Sequence, residues 1–306
     1  MAERVSWHRR LDRWLLDPIE GAAAYLVLKL IRALTIDQAS ALGGWLLRTI
    51  GPWLAVSRRA RRNLARTFPE RSPQEIEAIL REVWDNLGRT AGEYPHLPNM
   101  RIFPKDGSPP DGRVEVVGIE HVDHAIARGK PILFFAAHLA NWEIATLAAL
   151  QYGVPLHVVY RAANNPHVER LFREGRGGIA AGLIPKGPEG ARLTLKLLRQ
   201  GRHLAMLLDQ KMNDGIAVPF FGRPAMTAPA LADLALKFDC TVLPTQIERL
   251  GGARFRLTLH PPLELPRSGD RQADALAVMT RVNAMFEEWI RAHPGQWLWL
   301  HNRWPD

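Results

Sequence analysis

A single cysteine, Cys240, stands in the 306-residue chain. It excludes an intramolecular disulfide and a cysteine-rich zinc site. Its context, KFDCTVLP at the mouth of a strand-like run, reads as a buried structural thiol. The sequence also lacks a Walker A loop, a dinucleotide fingerprint and a His-x-x-x-His pair. HVDH (121–124) puts two histidines three apart, but among charges that suit a solvated helix face. No metal and no organic cofactor is therefore called for. The absence of a Gly-x-Ser-x-Gly elbow argues against an ordinary α/β-hydrolase. With no zinc-finger spacing, RNA-recognition signature or basic-region heptad, nucleic-acid binding is the weakest use of the chain's charge. No cleavable signal peptide is evident, and no apolar run reaches the ~18–20 residues of a spanning helix.

What is present is a formal charge of +9 and 47% apolar residues, a globular composition. Arginines gather early, at Arg9, Arg10, Arg13, Arg58, Arg59, Arg61, Arg62 and Arg66. Such a balance suits an anionic partner or simply a solvated basic face. Between these clusters lie GAAAYLVLKLIRAL (21–34) and ALGGWLLRTIGPWLAV (41–56), apolar but interrupted by Lys29, Arg32, Arg48 and Pro52. With Trp14, Trp45 and Trp53 beside the arginines, this region reads as helices lying on a membrane surface. The alternative is a pair of buried amphipathic helices. Residues 1–66 are thus expected to be an anchor region and 67–306 the domain that carries the chemistry.

Ser72-Pro73 with Glu75 predicts a helix over 73–94, and the Pro/Gly-rich residues 95–112 a loop. From residue 113 strands and helices alternate. PILFFAA (131–137) is a continuous apolar run of strand length, followed by a helix to 152; LHVVYR (156–161), a helix over 188–200 and RHLAMLLD (202–209) continue the pattern. A helix over 228–238, the runs CTVLPTQIE and RFRLTLH, and a helix over 270–292 complete it. The fold class expected is α/β, a mostly parallel, mixed sheet flanked by helices, with antiparallel strands near the C-terminus.

In such sheets chemistry gathers at the carboxyl ends of strands. PILFFAA ends in His138-Leu-Ala-Asn141-Trp142-Glu143. Five positions apart, His and Glu would lie ~140° apart on one helix. They meet only if His138 sits in the strand-to-helix turn and Glu143 in the first helical turn. The carboxylate would then hold the imidazole tautomer and free the other nitrogen as a base. Helix N-terminal N–H groups would face a developing oxyanion.

GIEHVDHAIARGKPILFFAAHLANWEIA (118–145) resembles the bacterial lipid A biosynthesis acyltransferases, the lauroyl/myristoyl transferase family, in its Gly-x-Glu-His, Gly-Lys, apolar strand and His-x4-Glu with an Asn-Trp-Glu core. RRNLARTFP (61–69), YRAANNP (160–166), LLDQK (207–211), PFFGRPAMTAPA (219–230) and HPGQWLWLHNRW (293–304) are similar to further family elements, in the same order. The resemblance covers nearly the whole chain. It implies a glycerolipid-acyltransferase-like fold with N-terminal membrane-associated helices, and His138 as base with Glu143 as its orienting partner. Arg161 would hold the thioester oxyanion or an acceptor phosphate, with a strand-end salt bridge as the bland alternative. Asn141 and Gln210 would bind substrate, and Asn164 and Asn165 would orient it or form a turn. Asp209, beside Gln210, would anchor Arg161, bind an acceptor hydroxyl or be structural. In PFFGRPAMTAPA, either Phe220, Phe221 and Met226 line an acyl channel and Arg223 meets phosphate or pantetheine, or the segment is a turn leading to a core helix. WLWLHNRW reads as packing. The implied reaction transfers an acyl chain from acyl carrier protein or coenzyme A to a hydroxyl of a lipid A precursor, a glycolipid acceptor, at the cytoplasmic face of the inner membrane. The alternatives are another glycolipid or phospholipid acceptor, or a non-catalytic lipid-binding protein of the same fold.

Overall fold

The structure, a computed structural model, describes residues 2–160 and 165–304. Four helices come first: α1 (Ala2–Arg32), α2 (Ile36–Ile50), α3 (Ser57–Thr67) and α4 (Pro73–Glu93). β1 (Val114–Val117), α5 (Ile119–Ala127), β2 (Ile132–Ala136), α6 (Glu143–Tyr152), β3 (Leu156–Tyr160), α7 (Pro166–Gly177), β4 (Gly182–Pro185), α8 (Pro188–Arg199) and β5 (His203–Leu207) follow in alternation. The chain closes with β6 (Ile216–Phe220), β7 (Arg223–Thr227), α9 (Ala230–Phe238), β8 (Thr241–Gly251), β9 (Arg254–Leu259) and α10 (Arg271–Ala292).

Seven strands form one sheet in the order β1-β9-β8-β2-β5-β3-β4. All its pairings are parallel except β8 with β9. The apolar run of β2 lies at the middle of the sheet, buried at every position. Its even and odd residues feed two core clusters: Leu133 and Phe135 one, Ile132, Phe134 and Ala136 the other. That is why no alternation is visible in its sequence. α4 starts as read from the sequence, with Pro73 at N1 and a reciprocal Ser72–Glu75 capping box.

Two features depart from the sequence reading. α7 and β4 were not expected, because Pro166 and five glycines within 175–187 mask their short periodic segments. PFFGRPAMTAPA forms the greater part of the β6–β7 hairpin, whose two-residue turn, Phe221-Gly222, has φ of +50° and +70°. A two-residue turn with both residues at positive φ matches the twist of its flanking strands. Cys240 is buried, and burial pushes its thiol up to about 12, which leaves it an inert core residue.

α2 lies on α4 through small residues. A Cβ at Gly43 would sit 2.2 Å from the Gly88 carbonyl oxygen, and one at Gly92 2.2 Å from that of Ala39. The backbones touch, so one face of α2 is committed to α4. The other face leaves Leu42, Trp45, Leu46 and Ile50 exposed, and Trp53 just beyond is 85% exposed. On α1, Leu16, Ile19, Leu26 and Leu30 are exposed as well. Among the described residues no helix is long and apolar enough to cross a membrane. The boundary expected after residue 66 falls inside α3, whose Asn63 amide donates to the carbonyls of Trp299 and His301 near the C-terminus.

Candidate active site

Strand register builds the centre of the site. β2 and β5 are parallel neighbours with Ala136 opposite Leu207. Each chain runs on two residues past its strand, and the same offset of 71 positions brings His138 beside Asp209. His138 Nδ1 is 2.7 Å from Asp209 Oδ1, and the His138 backbone N–H donates to Oδ2 at 2.8 Å. The Trp297 indole N–H donates to Oδ2 at 2.7 Å. Burial alone would raise the Asp209 pKa. The neighbouring His138 charge and the hydrogen bonds from His138 and Trp297 outweigh it and hold the carboxyl well below the usual carboxylate range. An ionised carboxylate only accepts, so Nδ1 carries a proton, and in the neutral ring Nε2 presents a lone pair.

The partner expected for the imidazole was Glu143; the residue on Nδ1 is Asp209. Glu143 opens α6, is buried, and lines the same cavity as His138 and Gln210. Its geometry differs from the expectation because β5, not the start of α6, delivers a carboxylate to the imidazole's Nδ1 edge. Nε2 instead faces the Gln210 amide nitrogen at 3.2 Å.

The cavity has a volume of about 890 Å³, within the range of small-molecule sites. His138, Glu143 and Gln210 form a polar part of a wall that is otherwise mostly apolar. Alanines at Ala136, Ala145, Ala149 and Ala205 line it, leaving unfilled the space that larger core side chains would occupy.

The turn from β2 to α6 is held from beneath by α4. Ala140 takes φ of +48°, a left-handed conformation that costs a non-glycine residue about 1–2 kcal/mol. Its carbonyl accepts from Asn86 Nδ2 (3.2 Å) and Thr90 Oγ1 (3.0 Å), and the Asn141 amide donates to Glu93 Oε2 at 2.9 Å. Arg249 ties these supports together, donating to Asn86, Thr90 and both Glu93 oxygens. Ser40 of α2 donates to Glu93 at 2.7 Å. The Arg249 and Glu93 side chains are 7% and 0% exposed. Arg249→Met would strand a buried carboxylate and is expected to destabilise the fold by about 3–5 kcal/mol. Denaturant unfolding should show the double change Arg249→Met/Glu93→Gln to be milder than Arg249→Met alone.

Other residues singled out from the sequence lie elsewhere. Asn165 joins α1 to α7: its amide donates to the Asp17 carbonyl and Glu20, and its oxygen accepts from the His167 N–H. Arg223 stacks on the Trp304 ring, 3.9 Å from its centroid, and does not line the cavity. Phe220 and Phe221 pack with Trp297, Trp299 and Trp304 in an aromatic cluster, and neither they nor Met226 line the cavity. Arg161 and Asn164 lie outside the described residues. The sequence reading missed the C-terminal segment, taken there as packing. Besides Trp297 it brings His301 Nε2 to 3.0 Å from the Gln210 amide nitrogen. Arg303 is structural: fully buried, it donates to the Met226 carbonyl, Thr227 and Asn283, and burial holds its pKa down to about 10.

The model of the family described as bacterial lipid A biosynthesis acyltransferase matches residues 9–306. The chain is 27% identical over 261 residues to a lipid A biosynthesis lauroyltransferase of Escherichia coli, covering 81% of this chain and 79% of that protein. It is 25% identical over 255 residues to a lipid A biosynthesis acyltransferase of Haemophilus influenzae (79% and 73% covered). It is also 26% identical over 248 residues to a phosphatidylinositol mannoside acyltransferase of Mycobacterium tuberculosis (80% and 76% covered).

Proposed function

The chain belongs to the bacterial lipid A biosynthesis acyltransferase family and is an acyltransferase; we propose that it moves a fatty acyl chain from a thioester to a hydroxyl of a lipid A precursor. The observation that carries this reading is the Asp209–His138 pair, with Nε2 turned away from the acid and His138 in the wall of a large, mostly apolar cavity. An alkyl chain suits such a cavity, and a base in its wall suits the carbonyl at the chain's end.

His138 Nε2 takes the acceptor hydroxyl's proton as its oxygen attacks the thioester carbonyl. Asp209 stabilises the imidazolium that forms. The tetrahedral oxyanion is met by N–H groups at the start of α6, where no side chain caps the helix, and by Arg161. Collapse expels a thiolate, whose parent thiol has a pKa near 8.5, and the imidazolium proton passes to it. The donor is acyl carrier protein or acyl-coenzyme A. Glu143 and Asn141 belong to the same turn and shape it around the reacting carbonyl. Relatives named for phosphatidylinositol mannoside support a second acceptor class, another glycolipid. The purified enzyme, offered a dodecanoyl or hexadecanoyl thioester with a lipid A precursor or a mannosylated phosphoinositide, should give an ester product by mass spectrometry with the first acceptor. Product with the mannolipid alone would move the chain to the second class. No product with either would refute acyl transfer to glycolipids.

Residues 1–66 serve as an anchor on the cytoplasmic face of the bacterial inner membrane, and 67–306 carry the transfer. The exposed apolar faces of α1 and α2, with the arginines of α3, support this reading. Burying a large apolar side chain is worth about 1.5–3 kcal/mol. Trp45→Ser/Trp53→Ser should therefore weaken binding to vesicles with anionic lipid at least tenfold. Unchanged binding in high salt, where surface charge is screened, would place the anchor elsewhere.

A further inference from the structure

The proton inventory around His138 leads past the acid–base pair. Starting from the Asp209 carboxylate, every donor and acceptor in the chain of contacts is fixed. Nδ1 donates to Asp209, so Nε2 of the neutral ring can only accept. The atom 3.2 Å from it is the Gln210 side-chain nitrogen, and the same nitrogen is 3.0 Å from His301 Nε2. An amide nitrogen has two hydrogens, one for each imidazole. Turned end for end, Gln210 would set its oxygen against the lone pair of His138. Burial holds His301 down to about 4, so at neutral pH it is uncharged and its Nε2 is free to accept. The rings of His301 and Trp142 flank His138 at 5.5 and 4.9 Å.

We propose that Gln210, anchored on His301, is a displaceable cap on the catalytic base, and that His301 is thereby a positioning residue for acyl transfer. The proposal rests on the reading of His138 as the base. In the resting site the amide occupies the seat that the acceptor hydroxyl must take, since both donate to Nε2. An arriving hydroxyl breaks one of the amide's two hydrogen bonds and leaves the one to His301, so the cap swings aside without being lost. Once His138 has taken the proton, its Nε2–H repels the amide hydrogens. The cap returns only after the proton has gone to the thiolate. His301 sets the polarity: without an acceptor there, the amide is free to reverse and present its oxygen, which favours the protonated ring.

Among the described residues, the other ionisable groups near the pair include Glu143 from α6, Lys186 after β4, Lys211 and Asp214 after β5, Arg303 near the C-terminus, and Arg59 from α3, which donates to the Leu300 carbonyl beside His301. His301→Leu should move the acid limb of kcat/KM for acyl-coenzyme A and lipid acceptor to higher pH by about one unit, with much of the rate regained in alkali. His301→Asn, which keeps an acceptor, should restore the limb. A fall of equal size at every pH, or a limb unmoved by His301→Leu, would overturn the cap. A nitrogen-15 spectrum of histidine-labelled full-length protein tests the polarity without substrate or variant. It should show His138 as the Nδ1–H tautomer, with unprotonated Nε2 on both rings. A His138 Nε2–H tautomer would overturn the proposal and leave acyl transfer standing. The expected tautomers in a chain that transfers no acyl group would support the cap's polarity and refute the functional reading instead.

Discussion

Asp209→Asn is expected to lower kcat by up to about 10⁴ while leaving the fold intact, the loss seen when the acid of a Ser-His-Asp unit becomes an amide. The geometry gives the reason. Two N–H donors, the His138 backbone and the Trp297 indole, converge on Oδ2. An asparagine has one oxygen, and those donors claim it. The amide nitrogen is left facing Nδ1, which must then accept. The ring proton moves to Nε2, and the nitrogen that should act as base carries a hydrogen. The stabilising effect of the ionised carboxylate is lost, but the fold is retained, because both donors keep an acceptor and the neutral imidazole left behind is no unpaired buried charge. The assay is single-turnover transfer at neutral pH. Since Asp209 is held far below the usual carboxylate range, its stabilising effect is complete above the unfolded value of about 3.9 and is lost only as the pH falls well below it. Comparisons near pH 7 therefore contrast a fully ionised carboxylate with an amide. A variant within tenfold of the parent enzyme would mean that Asp209 does not set the tautomer.

This partner was only half visible in the sequence. His138 and Asp209 each stand two residues past a strand, and both were marked as strand-end residues. Their pairing depends on β2 and β5 being neighbours, although β3 and β4 come between them in the chain. No local pattern encodes that adjacency. The nearer carboxylate, Glu143, fitted the local spacing and so took the role. The alternating elements, the capping box of α4 and the apolar run of β2 were legible because each is decided within a few residues. The supports of the turn were not. Asn86, Thr90 and Glu93 lie on one face of α4 and meet Ala140, Asn141 and Arg249 only in the folded chain. His301 was hidden for another reason. It sits among Trp297, Trp299, Arg303 and Trp304, which are core residues, and a histidine in such company reads as packing.

The N-terminal region shows how two readings of one stretch can both describe part of it. Ala39 and Gly43 on α2 meet Gly88 and Gly92 on α4, a small-residue seam of the kind that buries a helix face. Leu42, Trp45, Leu46 and Ile50 of α2 point the other way and stay exposed. Hydrophobicity alone could not divide the helix, whereas the four-residue spacing of small residues on both partners does so once the two are known to touch. Ser40 then links that helix to Glu93 beneath the site turn.

Removing the imidazole altogether, His138→Ala, should cost about 10²–10⁴ in transfer rate, and its meaning lies in how that loss combines with others. If Asp209 acts only through His138, the double variant His138→Ala/Asp209→Asn will be no slower than His138→Ala, as for residues that act as a unit. Glu143 should behave differently. The imidazole nitrogens face Asp209 and Gln210, so a role for Glu143 at the reacting carbonyl or the acceptor does not pass through the imidazole. His138→Ala/Glu143→Gln should then be slower than His138→Ala by close to the factor that Glu143→Gln costs alone. Rates of acyl-thioester hydrolysis by water, measured in the same set, separate the two halves of the site. A carboxylate that positions the acceptor affects transfer and not hydrolysis, whereas one that shapes the carbonyl's surroundings affects both. Additive losses for Asp209, with none for Glu143 beyond His138→Ala, would reverse the assignment and return Glu143 to the imidazole.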